Sequence, residues 1–541
     1  MRWASGLASL WAGLSLSAAA LAAPAGHPLL EVTVGPNVSA PQGGRLLVFA
    51  EPIATAQARA KGGALRSVNI QNVAEPGQAV AAVEVDRATP GAHLTIDLDQ
   101  TAFPEGFSHL PPGEYAVQAV LDVHHTYNYG GRDTGDLLSP VVRLRLPLDA
   151  GAPTVTLERT LPPVDYWTAP WLTPKAAADR AAVRPHATAV AFQSPALTAF
   201  WGRPIVMRGW VVTPPGYDPK GKATYPTVYS FHGFGANEDT FLTRSADAYA
   251  AMAAGRTPPM IWVFLDYSGP WGANEFADSV NNGPWGKAFA EELIPDLERH
   301  YRMDARPNGR FLTGHSSGGW ASLWLQTRYP KEFGGTWSTS PDPSDFHDLM
   351  GVDIYAPQAN IYTGPGGVHH PLMRDGAKVL ASMEEFARLE AVMGPSGGQM
   401  ASFDAVFSPR GPDGRPQPMF DRATGAVDPA VVAYWRDHYD IAHLISANWL
   451  TLKPDLDGKI HVAVGGADSF YLDGPAHKLQ AVLDGLGAKS RFQYVPGRGH
   501  FDLYGVGDNP WGLLEGYAWE MYAIARPDSH LVGPKPPAAK P

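Results

Sequence analysis

The sequence predicts two folded units of different class: an all-β unit of the sandwich type, then an α/β unit built on a parallel sheet. Three observations predict it. Short β-rich segments recur between turn clusters from residue 28 to 148. From about residue 200 to 525, near-continuous apolar strands alternate with amphipathic helices. The chain has 541 residues, 45% hydrophobic and 18% charged, which suffices for two or three domains with large cores.

The elements follow in chain order. Arg2, an apolar run over 7–21 and the small-x-small step Ala20-Leu21-Ala22 predict a secretory signal over 1–22, cut after Ala22. Residues 23–148 form the β-sandwich domain, with strands at 29–34, 45–49, 80–85, 93–98, 115–123 and 141–146. Pro112-Gly113-Glu114-Tyr115, followed by alternating Val117, Ala119 and Leu121, resembles a late strand of immunoglobulin-like domains. Residues 149–195, rich in Pro and Ala, read as a linker, and 527–541 as a disordered tail.

Residues 196–526 carry the α/β unit. Strands are expected at 227–231, 260–265, 310–313, 335–338, 460–464 and 491–495, with helices at 288–300, 320–329 and 475–486. An excursion over 341–449, with short helices such as 375–393 and loops rich in Pro and Gly, interrupts the rhythm and is expected to fold over the strand ends as a cap.

Composition excludes several classes. The net charge is −11 without a long basic run, which argues against nucleic acid or anionic membrane as partners. No segment beyond the leader is long and apolar enough to span a membrane. There is no cysteine, so disulfides, thiolate metal sites and a cysteine nucleophile are ruled out. His124 and His125 with Asp122 and Asp133 make a poor metal set, because adjacent strand residues point to opposite faces. Neither a metal nor an organic cofactor is expected, and the sequence sets no oligomeric state.

The pattern G-x-S-x-G occurs twice, at 314–318 and 394–398. Ser316 follows a short strand and precedes a helix, the setting of a nucleophile elbow, where flanking glycines permit a strained turn that lifts the hydroxyl above the sheet. Ser396 follows a helix at a Gly-Pro stop, and is set aside.

A serine hydroxyl needs a base, and the base an orienting acid. In α/β-hydrolases the chain order is Ser, Asp or Glu, then His. Asp468 and His500 each lie just past the carboxyl end of an expected strand, where open α/β sheets place their sites. Among 18 histidines, His369, His370, His438 and His443 fall in or near the excursion. For the acid, Asp473 reads as a helix N-cap or turn residue, and Asp342 is the reserve candidate. The Gly-rich turn after the strand at 227–231 places the Phe234 amide, with that of Ser317, to receive an oxyanion, and His232 is read as structural support. The loop 266–285 is rich in aromatic and amide side chains, and Trp271, Trp285 and Asn282 are the expected substrate contacts, suited to sugar or aryl groups or else packing the loop.

Glu291-Glu292-Leu293-Ile294-Pro295, Tyr301-Arg302, Gly314-His315-Ser316-Ser317-Gly318-Gly319-Trp320, Tyr329-Pro330 and Phe333 together resemble the putative-esterase family of α/β-hydrolases, which includes esterase D, enterochelin esterases and feruloyl or acetyl-xylan esterases. Asp468-Ser469-Phe470-Tyr471-Leu472 is similar to the acid segment of esterase D relatives. The resemblance spans about 200–510 and implies an α/β-hydrolase fold with Ser316, Asp468 and His500 as triad. Ser317 stands where many relatives carry Met, and the long excursion departs from compact esterase D proteins. The expectation is an exported serine hydrolase of carboxylic esters, leaning to polysaccharide-linked or aryl esters, with a small-molecule or glycan ester as its partner. A siderophore esterase, an acyltransferase, a prolyl-oligopeptidase-type peptidase and a non-catalytic glycan-binding protein are the alternatives.

Overall fold

In the segment Leu29–Val34, Leu30, Val32 and Val34 are buried and the residues between them half-buried, the period of two that marks a strand with one covered face. The computed structural model describes residues 27–533 except 37, 39–41, 71–76, 126–131, 149–150, 395–396 and 532. The expected leader, most of the expected tail and Ser396 therefore lie outside the described residues. Leu29–Val34 pairs antiparallel with His93–Asp97 and parallel with Thr154–Leu157. A second sheet runs Arg159–Thr160, Leu137–Leu138, Gly113–Asp122, Gln42–Pro52, Ala79–Ala88, Ala102–Phe103, and Val142–Leu146 also pairs with Gly113–Asp122. Leu30, Val32, Ile96 and Val155 from the first sheet share a core with Leu46, Val48, Ala119 and Leu121 from the second.

The linker expected at 149–195 is corrected. Thr154–Leu157 and Arg159–Thr160 complete the two β sheets. Pro174–Val183 is a helix whose start is signalled by Thr173, which accepts from the Ala176 amide, with Pro174 in the first turn. Ala187–Gln193 is an edge strand of the main sheet. Most of its residues are exposed or half-buried, so an apolar period was not required and composition hid the strand.

The main sheet comprises β1 (Ala187–Gln193), β2 (Val206–Val212), β3 (Thr227–Phe231), β4 (Ile261–Leu265), β5 (Arg310–His315), β6 (Gly335–Thr339), β7 (Ile460–Gly465) and β8 (Ser490–Val495). Their spatial order is β1-β2-β4-β3-β5-β6-β7-β8. From β4 onward neighbours are parallel; β1–β2 and β2–β4 are antiparallel. Every residue of β4 and β6 is buried, as expected of strands covered on both faces. Helix α1 (Glu238–Ala253) follows β3 and α2 (Ser317–Arg328) follows β5. This is an α/β-hydrolase sheet, with the elbow after its fifth strand. The helix expected at 288–300 begins earlier, at Trp285, and widens to a π-turn over Ala288–Leu293 before Ile294–His300. Pro295 has no N–H to give the helical ladder, so the repeat is interrupted there.

The excursion between β6 and β7 holds α3 (Met383–Met393) and α4 (Gln399–Phe407). Residues expected to begin a helix at 375 instead form a hairpin, Pro371–Asp375 with Lys378–Ser382. A capping box at Ser382 and Glu385 starts α3. This helix has two loyalties. Leu389, Val392 and Met393 join Leu47, Phe49, Val80 and Phe103 of the β unit, and Arg45 Nε donates to the Val392 carbonyl at 2.9 Å. Phe386, on the same helix, lines the cavity over β5.

Candidate active site

Ser316 occupies φ 59°, ψ −125°, a region that costs a non-glycine residue on the order of 1–3 kcal/mol. Tight packing sustains the turn. A Cβ on Gly314 would stand 1.9 Å from the Gly318 carbonyl oxygen, and one on Gly318 would stand 2.4 Å from the carbonyl oxygens of Phe231 and His232. The two glycines thus let strand, turn and helix approach closely enough to hold Ser316 at the top of the sheet. The Ser316 amide donates to the Thr339 carbonyl at 3.0 Å, and the Ser316 carbonyl accepts from Trp320 as α2 begins.

Asp468 and His500 come together from the turns after β7 and β8. His500 Nδ1 lies 3.0 Å from Asp468 Oδ2, and both side chains are buried. Asp468 Oδ1 accepts from the amides of Phe470 at 2.9 Å and Leu472 at 3.4 Å. Burial works to raise the Asp468 carboxyl, but bonding to His500 and to the Phe470 amide outweighs it and holds the group below the usual carboxylate range. His315 lies with its ring centroid 4.4 Å from that of His500. Burial, with the adjacent His500, drives His315 well below the ordinary histidine range, so it is neutral.

Ser316 and His500 share one cavity of about 240 Å³. Its walls are Gly233, Phe234, His315, Asp342, Met350, Phe386, Gln399, Phe470, Leu472 and Phe501. Gly233 lies against the elbow, where a Cβ would be 3.1 Å from Ser316 Cβ. The turn that carries Phe234 therefore borders Ser316, and α2 begins at Ser317. Backbone N–H groups at such a helix start favour negative charge. His232 is packed beneath this turn: its ring stacks on Tyr267 at 4.2 Å, and Nδ1 is 2.7 Å from the Gly233 carbonyl oxygen.

The expected substrate contacts in loop 266–285 are corrected. Trp285 is 2% exposed, sits in the core with Phe276 and Phe289, and donates Nε1 to the Asn282 carbonyl. Asn282 is fully buried and its carbonyl also accepts from Trp201. Trp271 is half-buried and is not among the residues that line the cavity. Aromatic-amide composition identified a packed loop, because large apolar rings next to a sheet face gain more from burial than from a cleft edge. The aromatic walls come instead from Phe234, from Phe386 in the excursion, from Phe470, two residues after Asp468, and from Phe501, next to His500.

Asp342, expected as the reserve acid, contacts Ser316 rather than His500. Its Oδ1 is 3.3 Å from Ser316 Oγ, and its Oδ2 accepts from the Ser317 hydroxyl at 2.6 Å. Asp473 is the first residue of its helix rather than the cap, and pairs with Arg374 at 3.1 Å. The rival histidines have other partners: His369 lies 3.2 Å from Glu384, and His438 Nδ1 is 2.8 Å from the Tyr434 carbonyl oxygen. Among the described residues, Asp345, His347 and Asp440 cluster closely enough to hold a cation. Their atoms are engaged already, His347 with Asp345, and Asp440 with the Phe346 amide and the Tyr355 hydroxyl.

Known proteins can now be set beside this geometry. A family model described as "Putative esterase" matches residues 206–512, more than half of the chain. The chain belongs to that esterase family. Esterase Rv1288 of Mycobacterium tuberculosis (strain ATCC 25618 / H37Rv) is 31% identical over 183 residues, which cover 32% of this chain and 39% of that protein. The matched part is thus well under two thirds of that relative. Among solved structures, a ferulic acid esterase is similar over 63% of this chain and 97% of its own, with 15% identity and a TM-score of 0.35. An S-formylglutathione hydrolase from Agrobacterium tumefaciens is similar over 63% of this chain and 94% of its own, with 14% identity and a TM-score of 0.36.

Proposed function

We propose that the protein hydrolyses carboxylic esters through an acyl-enzyme, with Ser316 as nucleophile, His500 as base and Asp468 as the acid that orients it. The observation that carries this reading is the strained Ser316 facing the same cavity as His500, whose Nδ1 is held by a buried carboxylate. That bond fixes the proton on Nδ1 and leaves Nε2 as the acceptor. His500 takes the serine proton during attack and gives it to the departing alcohol. The amides of Phe234 and Ser317 receive the oxyanion; one such donor contributes about 3–4 kcal/mol to the transition state.

Met350, Phe386, Phe470, Leu472 and Phe501 make the cavity largely apolar, which favours an aryl or otherwise apolar ester over a charged one. We read aryl esters as the substrate class, and polysaccharide-linked aryl esters as the narrower proposal. Assignment of residues 29–160 to an immunoglobulin-like sandwich is also our reading, supported by two sheets that share one core. Export is proposed from Arg2 and the apolar run that follows; periplasmic or culture-medium fractionation with N-terminal sequencing tests it, expecting a start at Ala23. Among the described residues no helix is long and apolar enough to cross a membrane.

The testing experiment compares p-nitrophenyl acetate with methyl esters of hydroxycinnamic acids, for the parent and Ser316→Ala. The reading expects turnover that vanishes in the variant while its melting curve is kept, and a higher kcat/KM for the aryl acyl group. Equal activity in both proteins would remove Ser316 as nucleophile.

A further inference from the structure

The cavity over Ser316 is walled by one carboxyl that the acyl-enzyme chemistry above does not use. Asp342, in the turn after β6, is 4% exposed and lines that cavity. Its amide donates to the Ser316 carbonyl at 3.2 Å, which ties it to the elbow. Three donors converge on its carboxyl. Oδ2 accepts from the Ser317 hydroxyl at 2.6 Å and from Gln399 Nε2 at 3.4 Å. Oδ1 accepts from the Ser316 hydroxyl at 3.3 Å, its one donor among the described residues. Asp342 is thus an acceptor at both oxygens.

The two oxygens fare differently during the reaction. Ser317 and Gln399 stay in place, so Oδ2 keeps its donors. Ser316 gives up its proton when it attacks, so Oδ1 loses its donor. A buried carboxylate oxygen left without a donor costs free energy that a donor on the substrate recovers. The acyl side is the place for it. The reacting carbon carries three groups besides Oγ. On the mechanism above the oxyanion goes to the amides of Phe234 and Ser317, and the departing oxygen to His500. Among the described residues, Asp342 and Gln399 are the hydrogen-bonding side chains of the wall that neither group engages, apart from the neutral His315. The bond to the acyl α-carbon is left to face them. A hydroxyl on that α-carbon stands two bonds from the carbon attached to Oγ, and Oδ1 is 3.3 Å from Oγ. The two oxygens therefore come within range of an O–H···O bond.

We propose that Asp342 is a specificity-determining residue: its Oδ1 accepts from a hydroxyl on the α-carbon of the acyl group, which makes 2-hydroxyacyl esters the preferred substrates. This deepens the ester-hydrolase reading and rests on it. The rings of Phe234, Phe386, Phe470 and Phe501 favour an aryl group on the same carbon. In the free protein the Ser316 hydroxyl occupies Oδ1. The substrate hydroxyl takes its place, and the serine O–H is released toward His500 Nε2. The Oγ–acyl carbon bond then forms as the carbonyl π pair moves to the oxyanion. The serine proton passes to Nε2 and on to the departing alkoxide as the acyl C–O bond breaks. The substrate hydroxyl keeps its proton throughout.

The test measures kcat/KM of the full chain on three methyl esters: mandelate, its O-methyl ether and phenylacetate. The ether keeps the oxygen and its inductive effect but has no proton to donate, and phenylacetate has neither. The parent is expected to favour mandelate over both by about 10- to 100-fold, the weight of one hydrogen bond to a charged group. Asp342→Asn reverses the polarity of the site. Oδ2 has two donors, so the asparagine carbonyl takes its position and Nδ2, a donor, stands at Oδ1. Its mandelate-to-ether ratio should fall to about one. Asp342→Ala, with neither donor nor acceptor, should lose the preference as well. Ratios within one protein cancel differences in folded fraction. The proposal is overturned if the parent does not favour mandelate over both other esters, or if either variant keeps the parent's ratio. Ser316→Ala separates the two failures. If it matches the parent on methyl phenylacetate, the hydrolase reading falls and this role with it; if only the ratios fail, the hydrolase reading stands.

Discussion

Replacing Asp468 with Asn exchanges one carboxylate oxygen for an NH2 group and, on the proposed mechanism, reverses a tautomer. Asp468 Oδ1 accepts from the Phe470 and Leu472 amides, so the carbonyl oxygen of an asparagine must take that position. Its Nδ2 then points at His500 Nδ1, 3.0 Å away in the parent, and donates to it. Nδ1 becomes an acceptor, the ring proton moves to Nε2, and Nε2 can no longer take the serine proton. Because both side chains are buried, water cannot readily restore the other tautomer. The expected loss in kcat is about 10³- to 10⁴-fold, or about 4–5.5 kcal/mol, with KM little changed. The melting midpoint should move far less than for a cavity, since the amide fills the same space. Steady-state hydrolysis of phenyl acetate beside thermal unfolding measures both. An Asp468→Asn protein within tenfold of the parent, while His500→Ala is inactive, would refute the tautomer argument and return the orienting role to another carboxylate.

Other predictions follow from burial. Trp285→Ala should cost about 3–5 kcal/mol of stability, read by denaturant unfolding, because Trp285 is a core side chain; a change in KM without loss of stability would contradict that placement. Phe501 is 71% exposed at the cavity rim, so Phe501→Ala should leave the melting midpoint nearly unchanged and raise KM for aryl acyl esters about 3- to 10-fold. Glu390 is buried, accepts from the Gln399 and Met400 amides, and is pushed up to about 7, chiefly by burial. The folded chain therefore keeps this proton up to about pH 7, whereas the unfolded chain releases it near pH 4.3. The stability it contributes is present below about pH 4.3 and is lost as pH rises through the folded value, by up to about 3 kcal/mol. Melting curves at pH 5 and pH 8 should accordingly differ less in Glu390→Gln than in the parent; an unchanged difference would show that the group is already ionised in the folded protein.

Much of the sheet and part of the site were legible because their signals are local. A glycine-flanked serine between strand and helix fixes its own turn, and Asp468 and His500 are tied to the ends of β7 and β8 by sequence. Each could be placed without knowing what lies across the cleft. The edge strand Ala187–Gln193 was illegible because it needs little apolar alternation. Trp285 and Asn282 were misassigned because the same side chains serve a packed loop and a sugar-binding cleft, and only burial distinguishes the two. Met350, Phe386 and Gln399 had no signal of their own, since their place in the cavity depends on how residues 341–449 fold back over the sheet.

The sequence by itself determined the alternation that builds the parallel sheet, the strained turn at Ser316 and the placement of Asp468 and His500 just past β7 and β8, because periodicity and turn chemistry act within a few residues. Only the tertiary structure decided which rings wall the cavity, that the β unit supports α3 through Leu389, Val392 and Met393, and that Asp342 meets Ser316 rather than His500. Those contacts join segments tens to hundreds of residues apart. Their geometry is set by packing of the whole core, which no short stretch encodes.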